Sequence, residues 1–219
     1  DRLVPGIVRA NPRARVWVVP LGIDLDLYPY ITDGERTSEP VIGMFGSMGW
    51  YPSRSAAERL LTRLWPEIKK RVPDARVRIV GWDARSALQR YLTMQDVKIE
   101  ENVPDTRPYF REAGVFLYPP ARGSGMKIKI QEALAYGVPV VTTPEGVEGL
   151  PARDGVHAGI CEEDTGLIDR TVRLLLHRDL QDRQRLNGRA LLEEVCAPRP
   201  TVDAIERIYA SMIEGRKGV

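Results

Sequence analysis

The chain is poor in several features that mark large protein classes. Its 219 residues hold two cysteines, Cys161 and Cys196. Two thiols in separate segments build neither a disulfide framework nor a four-ligand zinc site, and they suit a reducing compartment such as the cytoplasm. Histidine is as scarce. His157 and His177 stand apart, with no His-Glu-x-x-His or Cys/His cluster, so surface positions are the simplest reading of both and no metal centre is expected. No apolar run approaches the ~20 residues of a membrane span, and the amino terminus lacks the basic-then-apolar layout of a signal peptide. Charge of one sign is missing too: 32 Lys and Arg against 30 Asp and Glu, scattered along the chain, leave +2. That balance gives no case for a nucleic-acid partner. Repeats and low-complexity tracts are absent. The start at Asp1, without methionine, suggests an excised piece of a longer protein or a processed chain.

What is present is patterned. Val41-Ile42-Gly43-Met44-Phe45 is a short apolar strand that breaks into Gly46-Ser47-Met48-Gly49, and residues 55–72 then carry apolar side chains at helical spacing. The pattern recurs. Residues 77–80 read as a strand ending at Gly81-Trp82, residues 114–118 run into a glycine-rich loop, and 138–142 follow a helix around 128–136. Short strands alternating with helices require crossovers, which give a parallel sheet covered on both faces. The predicted fold is α/β, a Rossmann-like, doubly wound parallel sheet. A last short strand is placed at 159–160 and carboxy-terminal helices at 164–177, 180–196 and 201–213. Upstream, 15–19 reads as a β-rich strand, and 30–40, polar and bounded by Pro and Gly, as a linker. The main domain is therefore placed at 41–219 and a boundary region at 1–40.

In such a sheet, ligands bind outside the carboxyl ends of the strands, where glycine turns and helix amino termini expose backbone N–H groups. Three loops qualify. Gly46 and Ser47 form the first, small enough for the backbone to approach a phosphate. The second is Arg122-Gly123-Ser124-Gly125-Met126-Lys127-Ile128-Lys129, which opens a helix. Its glycines free amides at the positive end of the helix dipole, and Arg122, Lys127 and Lys129 add full charges, a setting suited to a diphosphate. Glu132, one to two turns inside that helix, can accept hydrogen bonds from paired hydroxyls such as those of ribose. The third loop, 142–150, brings Glu148 and the amide of Gly149. The phosphate-loop ending in Gly-Lys-Ser/Thr and the Gly-x-Gly-x-x-Gly dinucleotide pattern are both missing. Trp17, Trp50 and Trp65 read as packing residues. Trp82, at the rim after Gly81, is placed to stack on a base.

These stretches carry a resemblance. Residues 41–52, 103–118 and above all 123–150, with Glu132-Ala-Leu-Ala, Gly137-Val-Pro-Val-Val and Glu148-Gly149-Leu150, are similar to the donor-binding domain of the retaining family-four GT-B glycosyltransferases. Residues 18–24 resemble that family's interdomain linker. The resemblance implies the carboxy-terminal half of a GT-B fold, with extra carboxy-terminal helices, whose amino-terminal partner domain would hold the acceptor and the expected base. It implies a nucleoside diphosphate sugar as donor, no metal, and possible peripheral membrane association of the full-length enzyme. It gives Gly46, Ser47, Lys127 and Lys129 the diphosphate, Glu132 the ribose hydroxyls, and Val103 and Asp105 the loop beside the base.

Two positions depart from the family's pattern. Ser124 stands where the first carboxylate of Glu-x7-Glu falls, so the donor's sugar would be read differently, and Arg54 is the nearest substitute for a basic residue after the first loop. The expected function is sugar transfer from a nucleotide sugar, in surface polysaccharide or glycolipid synthesis. The alternatives are a nucleotide-sugar epimerase on the same scaffold and a nucleotide-binding module without chemistry.

Overall fold

A computed structural model describes residues 3–19, 21–121 and 125–214. Six strands, β1 (Val41–Phe45), β2 (Arg76–Gly81), β3 (Val97–Glu101), β4 (Val115–Tyr118), β5 (Val140–Thr142) and β6 (Gly159–Ile160), form one sheet in the order β3-β2-β1-β4-β5-β6. Every neighbouring pair is parallel. Each residue of β1, β4 and β5 is buried, as strands covered on both faces must be.

Nine α-helices are described: α1 (Val4–Ala10), α2 (Tyr51–Arg59), α3 (Trp65–Arg71), α4 (Ala84–Ala87), α5 (Arg107–Glu112), α6 (Ile128–Tyr136), α7 (Asp164–Leu176), α8 (Arg178–Val195) and α9 (Pro198–Glu214). Between α2 and α3, Leu60–Leu64 forms a π turn. Pro66 supplies its reason, since a residue without an N–H cannot continue the i to i−4 ladder. The prolines of α9 lie in its first turn, where a missing N–H costs nothing.

The three phenylalanines of the chain meet beneath the carboxyl ends of β1 and β4: the Phe45 ring lies 4.8 Å from Phe110 and 5.6 Å from Phe116. Arg59 ties the same region together. Its guanidinium donates to Asp164 at 2.8 Å, to the Glu162 carbonyl at 2.8 Å and to the Pro119 carbonyl at 3.3 Å, joining α2, the start of α7 and the exit of β4.

Residues before 41 pack on the sheet domain. Ile23, Leu25 and Ile31 are buried in the common core. Arg185 of α8, 3% exposed, donates to the carbonyls of Gly137 and Ile31 and to Asp33. Arg189 reaches the carbonyls of Tyr28 and Ala135, both at 2.8 Å.

Two sequence expectations need correction. Residues 15–19 join no strand, and Trp17 and Val18 are 39% and 54% exposed: β propensity is realised only against a neighbouring edge. Conversely β3, Val-Lys-Ile-Glu-Glu, has no apolar run to announce it. It lies at the sheet border, where charged side chains are the usual protection against foreign strands. At the opposite border, the Ile160 N–H of β6 donates to the Asp154 carboxylate at 2.7 Å, and Arg170 grips that carboxylate through two nitrogens.

Candidate functional site

The strand order turns back between β1 and β4. From β1 the chain moves outward to β2 and β3, then returns to lay β4 on the other flank of β1. Loops leaving these two neighbours diverge toward opposite faces and open a crevice at the carboxyl edge.

Gly46 begins the first of these loops with φ +135°, a conformation that L side chains rarely adopt. The β1–β2 pairing continues past the strand end, with Gly46 N–H donating to the Val80 carbonyl at 2.9 Å and Met48 N–H to the Trp82 carbonyl at 2.8 Å. Ser47 is exposed at the tip. The Trp82 ring leans on Gly49, where an added Cβ would fall 2.3 Å from it, yet the side chain is 64% exposed.

The second loop sends Lys129 into the crevice. Its Nζ donates to Ser53 Oγ at 2.5 Å and lies 4.5 Å from the centroid of the Tyr118 ring, a cation–π contact. A Cβ on Gly46 would come within 2.9 Å of the same nitrogen. The lysine therefore spans from α6 across the end of β4 to the β1 loop. Its pKa is lowered to about 8: burial is the main cause, the Glu132 charge opposes it, and the Lys127 charge adds a smaller lowering. Glu132, one turn along α6, is half-buried and accepts from the Tyr28 hydroxyl at 3.4 Å. Burial raises its pKa, against the Tyr28 bond and the Lys129 charge.

Lys127 occupies the amino-terminal cap of α6, donates to the Gly125 carbonyl and lies 3.8 Å from the Glu148 carboxylate. The third loop thereby meets the second. Gly149, with φ +87°, packs so closely on Met126 that a Cβ would stand 2.4 Å from its Cγ. Thr142 and Thr143 hydroxyls donate to the carbonyls of Tyr118 (2.5 Å) and Pro120 (2.8 Å), which holds that loop on the exit of β4. Gly125, with φ +76°, has open space where a Cβ would be. Arg122, Gly123 and Ser124 lie outside the described residues.

Gly46, Lys127, Lys129, Glu132, Glu148 and Gly149 are thus gathered around the start of α6. Val103 and Asp105 lie in the loop between β3 and α5. Val103 packs half-buried on the core, and Arg107 takes the Asp105 carboxylate, its Nε 3.0 Å from both oxygens, which holds that carboxyl below its usual range. Sequence reasoning missed Ser53, Tyr118 and Tyr28. Their placement was the available signal for two of them: Ser53 lies in the first turn of the helix after the glycine loop, and Tyr118 is the last residue of β4.

The edge offers a desolvated ammonium, a second ammonium, the first-turn N–H groups of α6 and a carboxylate able to accept from hydroxyls. Among the described residues, no three His, Cys, Asp or Glu side chains gather as metal ligands would, and no helix is long and apolar enough to cross a membrane. A hollow of about 750 Å³ flanked by α7 and α8, lined by Asp154, Arg170 and Arg173, lies on another face.

Residues 39–177 match the sequence family described as glycosyl transferases group 1. No curated protein matches the chain. Among solved structures, TarM, known also from a complex of the S. aureus protein, superimposes with a TM-score of 0.79 at 12% identity, over 96% of this chain and 41% of TarM. HepE of Anabaena, solved with UDP-glucose, gives 0.72 at 16% identity over 96% of this chain and 61% of HepE. The carboxy-terminal domain of LpcC, a group 1 family protein of Francisella tularensis, gives 0.63 at 16% identity over 81% of this chain and 100% of that domain. At these identities the likeness is one of fold. The chain spans less than two thirds of TarM and of HepE.

Proposed function

Because the chain belongs to the group 1 glycosyltransferases, we propose that its carboxyl-edge crevice holds the diphosphate of a nucleotide sugar and that the chain is the donor-binding half of a GT-B enzyme. The observation that carries the reading is the half-buried Lys129 ammonium, brought to Gly46 at the point where the strand order reverses. In this role Lys129 and Lys127 neutralise the diphosphate, Gly46, Ser47, Gly125 and Gly149 offer backbone close to it, and Glu132 accepts from the ribose hydroxyls. Arg122, Gly123, Ser124 and Glu148 complete the loops around it, and Trp82, Val103 and Asp105 line the side toward the base.

The proposed chemistry is transfer with retention. The bond from the anomeric carbon to the diphosphate oxygen breaks with its electron pair going to that oxygen. An acceptor hydroxyl attacks from the same face, and its proton passes to the base expected in the amino-terminal domain. Positive charge fixed in advance at the leaving group stabilises that step, with no metal in the scheme. The acceptor belongs to an amino-terminal domain on the other side of residues 1–40, and the isolated chain is accordingly inactive. Surface polysaccharide or glycolipid synthesis in a bacterial cytoplasm, with the full enzyme peripheral to the membrane, is the setting we propose. The nucleotide-sugar complex of HepE and the UDP complex of TarM support a nucleotide-sugar donor.

An epimerase would need a histidine and acid/base carboxylates beside the donor. Here His157 Nδ1 accepts the Arg153 N–H at 3.0 Å in the loop before β6, and His177 caps the far end of α7. Calorimetry with UDP, GDP and ADP tests the site: Lys129→Ala and Glu132→Ala should each abolish or greatly weaken binding, and binding indifferent to both rejects it.

A further inference from the structure

We infer that Ser53 is a positioning residue for the donor site: its hydroxyl, together with the face of Tyr118, holds the Lys129 ammonium against Gly46 before any diphosphate arrives. The inference rests on the donor-site reading above and extends it to a residue that binds no substrate itself.

A lysine has four rotatable side-chain bonds, and ordering them only on binding subtracts from affinity. In this structure the end of the side chain is already held by contacts. Ser53 is 1% exposed, and its N–H donates to the Trp50 carbonyl at 3.0 Å, which fixes it in the first turn of α2. Its oxygen meets Lys129 Nζ at 2.5 Å, while the ring of Tyr118, 1% exposed, closes the other side at 4.5 Å. On the third side Nζ lies over the Gly46 backbone, 2.9 Å from where a Cβ would stand.

The groups facing Lys129 are few. Its own helix contributes Lys127, which repels it, and Glu132, which attracts it but is shared with Tyr28 from the segment after residue 24. From β4 comes neutral Tyr118, from the β1 loop the Gly46 backbone, and from α2 the hydroxyl of Ser53. Ser53 is the hydrogen-bond acceptor that meets the ammonium. An oxygen accepting from the charged form favours that form, so removing it should discharge the lysine at lower pH and release it from its seat.

The test follows Lys129 directly. Nitrogen NMR of the lysine side chains across a pH series gives its titration midpoint in the wild type, in Ser53→Ala and in Ser53→Thr. Calorimetry with UDP, GDP and ADP near neutral pH measures binding in the same proteins and in Lys129→Met. We expect Ser53→Ala to move the midpoint below the wild-type value of about 8 and to weaken the tightest nucleotide about tenfold, with Ser53→Thr restoring both. Ser53→Cys, a weaker acceptor of similar size, should show the same trend and serves if the alanine variant does not fold. A midpoint the same in Ser53→Ala and wild type overturns the positioning role while leaving the donor site standing. Nucleotide binding that ignores Lys129→Met overturns the donor-site reading, and the inference with it.

Discussion

A methyl group on Gly81 would lie 1.8 Å from the carbonyl oxygen of Gly46, so the backbones that end β2 and β1 are packed face to face with no side chain between them. Gly81→Ala must push the two apart. It should lower stability by about 2–4 kcal/mol, as overpacking at a rigid backbone contact does, and should weaken nucleotide binding because Gly46 moves with it. Urea denaturation and calorimetry on the same sample check both; a variant as stable as wild type contradicts the contact.

Lys129 is expected to oppose folding while serving the site. Its folded-state pKa of about 8 lies below the unfolded value of 10.5. The folded state therefore binds fewer protons between those values, and stability should rise as pH increases from about 8 to 10.5. The full effect is at most about 3 kcal/mol. Lys129→Met should abolish that rise and match or exceed wild-type stability at neutral pH, while binding of nucleoside diphosphates falls by about 100-fold. Thermal unfolding over a pH series decides the first point.

Arg185 should be worth more than a surface ion pair. Its guanidinium serves two carbonyls and Asp33 from a buried position, with the Tyr30 ring 4.9 Å away. Arg185→Ala leaves the Gly137 and Ile31 carbonyls without this donor, while Asp33 keeps Arg36, and a loss of about 3–5 kcal/mol is expected. Arg185→Lys should recover little, because one ammonium cannot reach all three. Limited proteolysis of either variant should open the chain between residues 21 and 37, and unchanged protection there would show that the clamp is dispensable.

Trp82 is expected to act on the base and not on the fold. At 64% exposure its replacement by alanine should change stability by less than about 1 kcal/mol. Stacking on a base is worth about 1–3 kcal/mol, so Trp82→Ala should weaken UDP binding by roughly tenfold and leave inorganic pyrophosphate unaffected. Equal loss for both ligands would place Trp82 on the phosphate instead.

How much of this was legible in the sequence depended on how each residue does its work. The central strands announce themselves, because a strand covered on both faces must be apolar throughout, as β1 and β4 are. Charged β3 gives no such signal, and residues 15–19 give a false one, because pairing depends on neighbours that a local pattern does not contain. At the site, Lys129 and Glu132 are readable as chemistry on one helix face. Ser53 and Tyr118 show only their placement, since their role arises when α2 and β4 converge on a lysine from 76 and 11 residues away. Asp105 carries a pairing its motif does not announce: Arg107, two residues along, holds its carboxylate.

The carboxylate of Asp154 on the outer amide of β6 has one more effect. An open border strand is a template onto which another chain can add, the route by which folded proteins polymerise into cross-β assemblies. Here an incoming strand would meet an amide already engaged and an arginine standing over it, so recruitment at that border is blocked by two residues of the chain's own loop and helix.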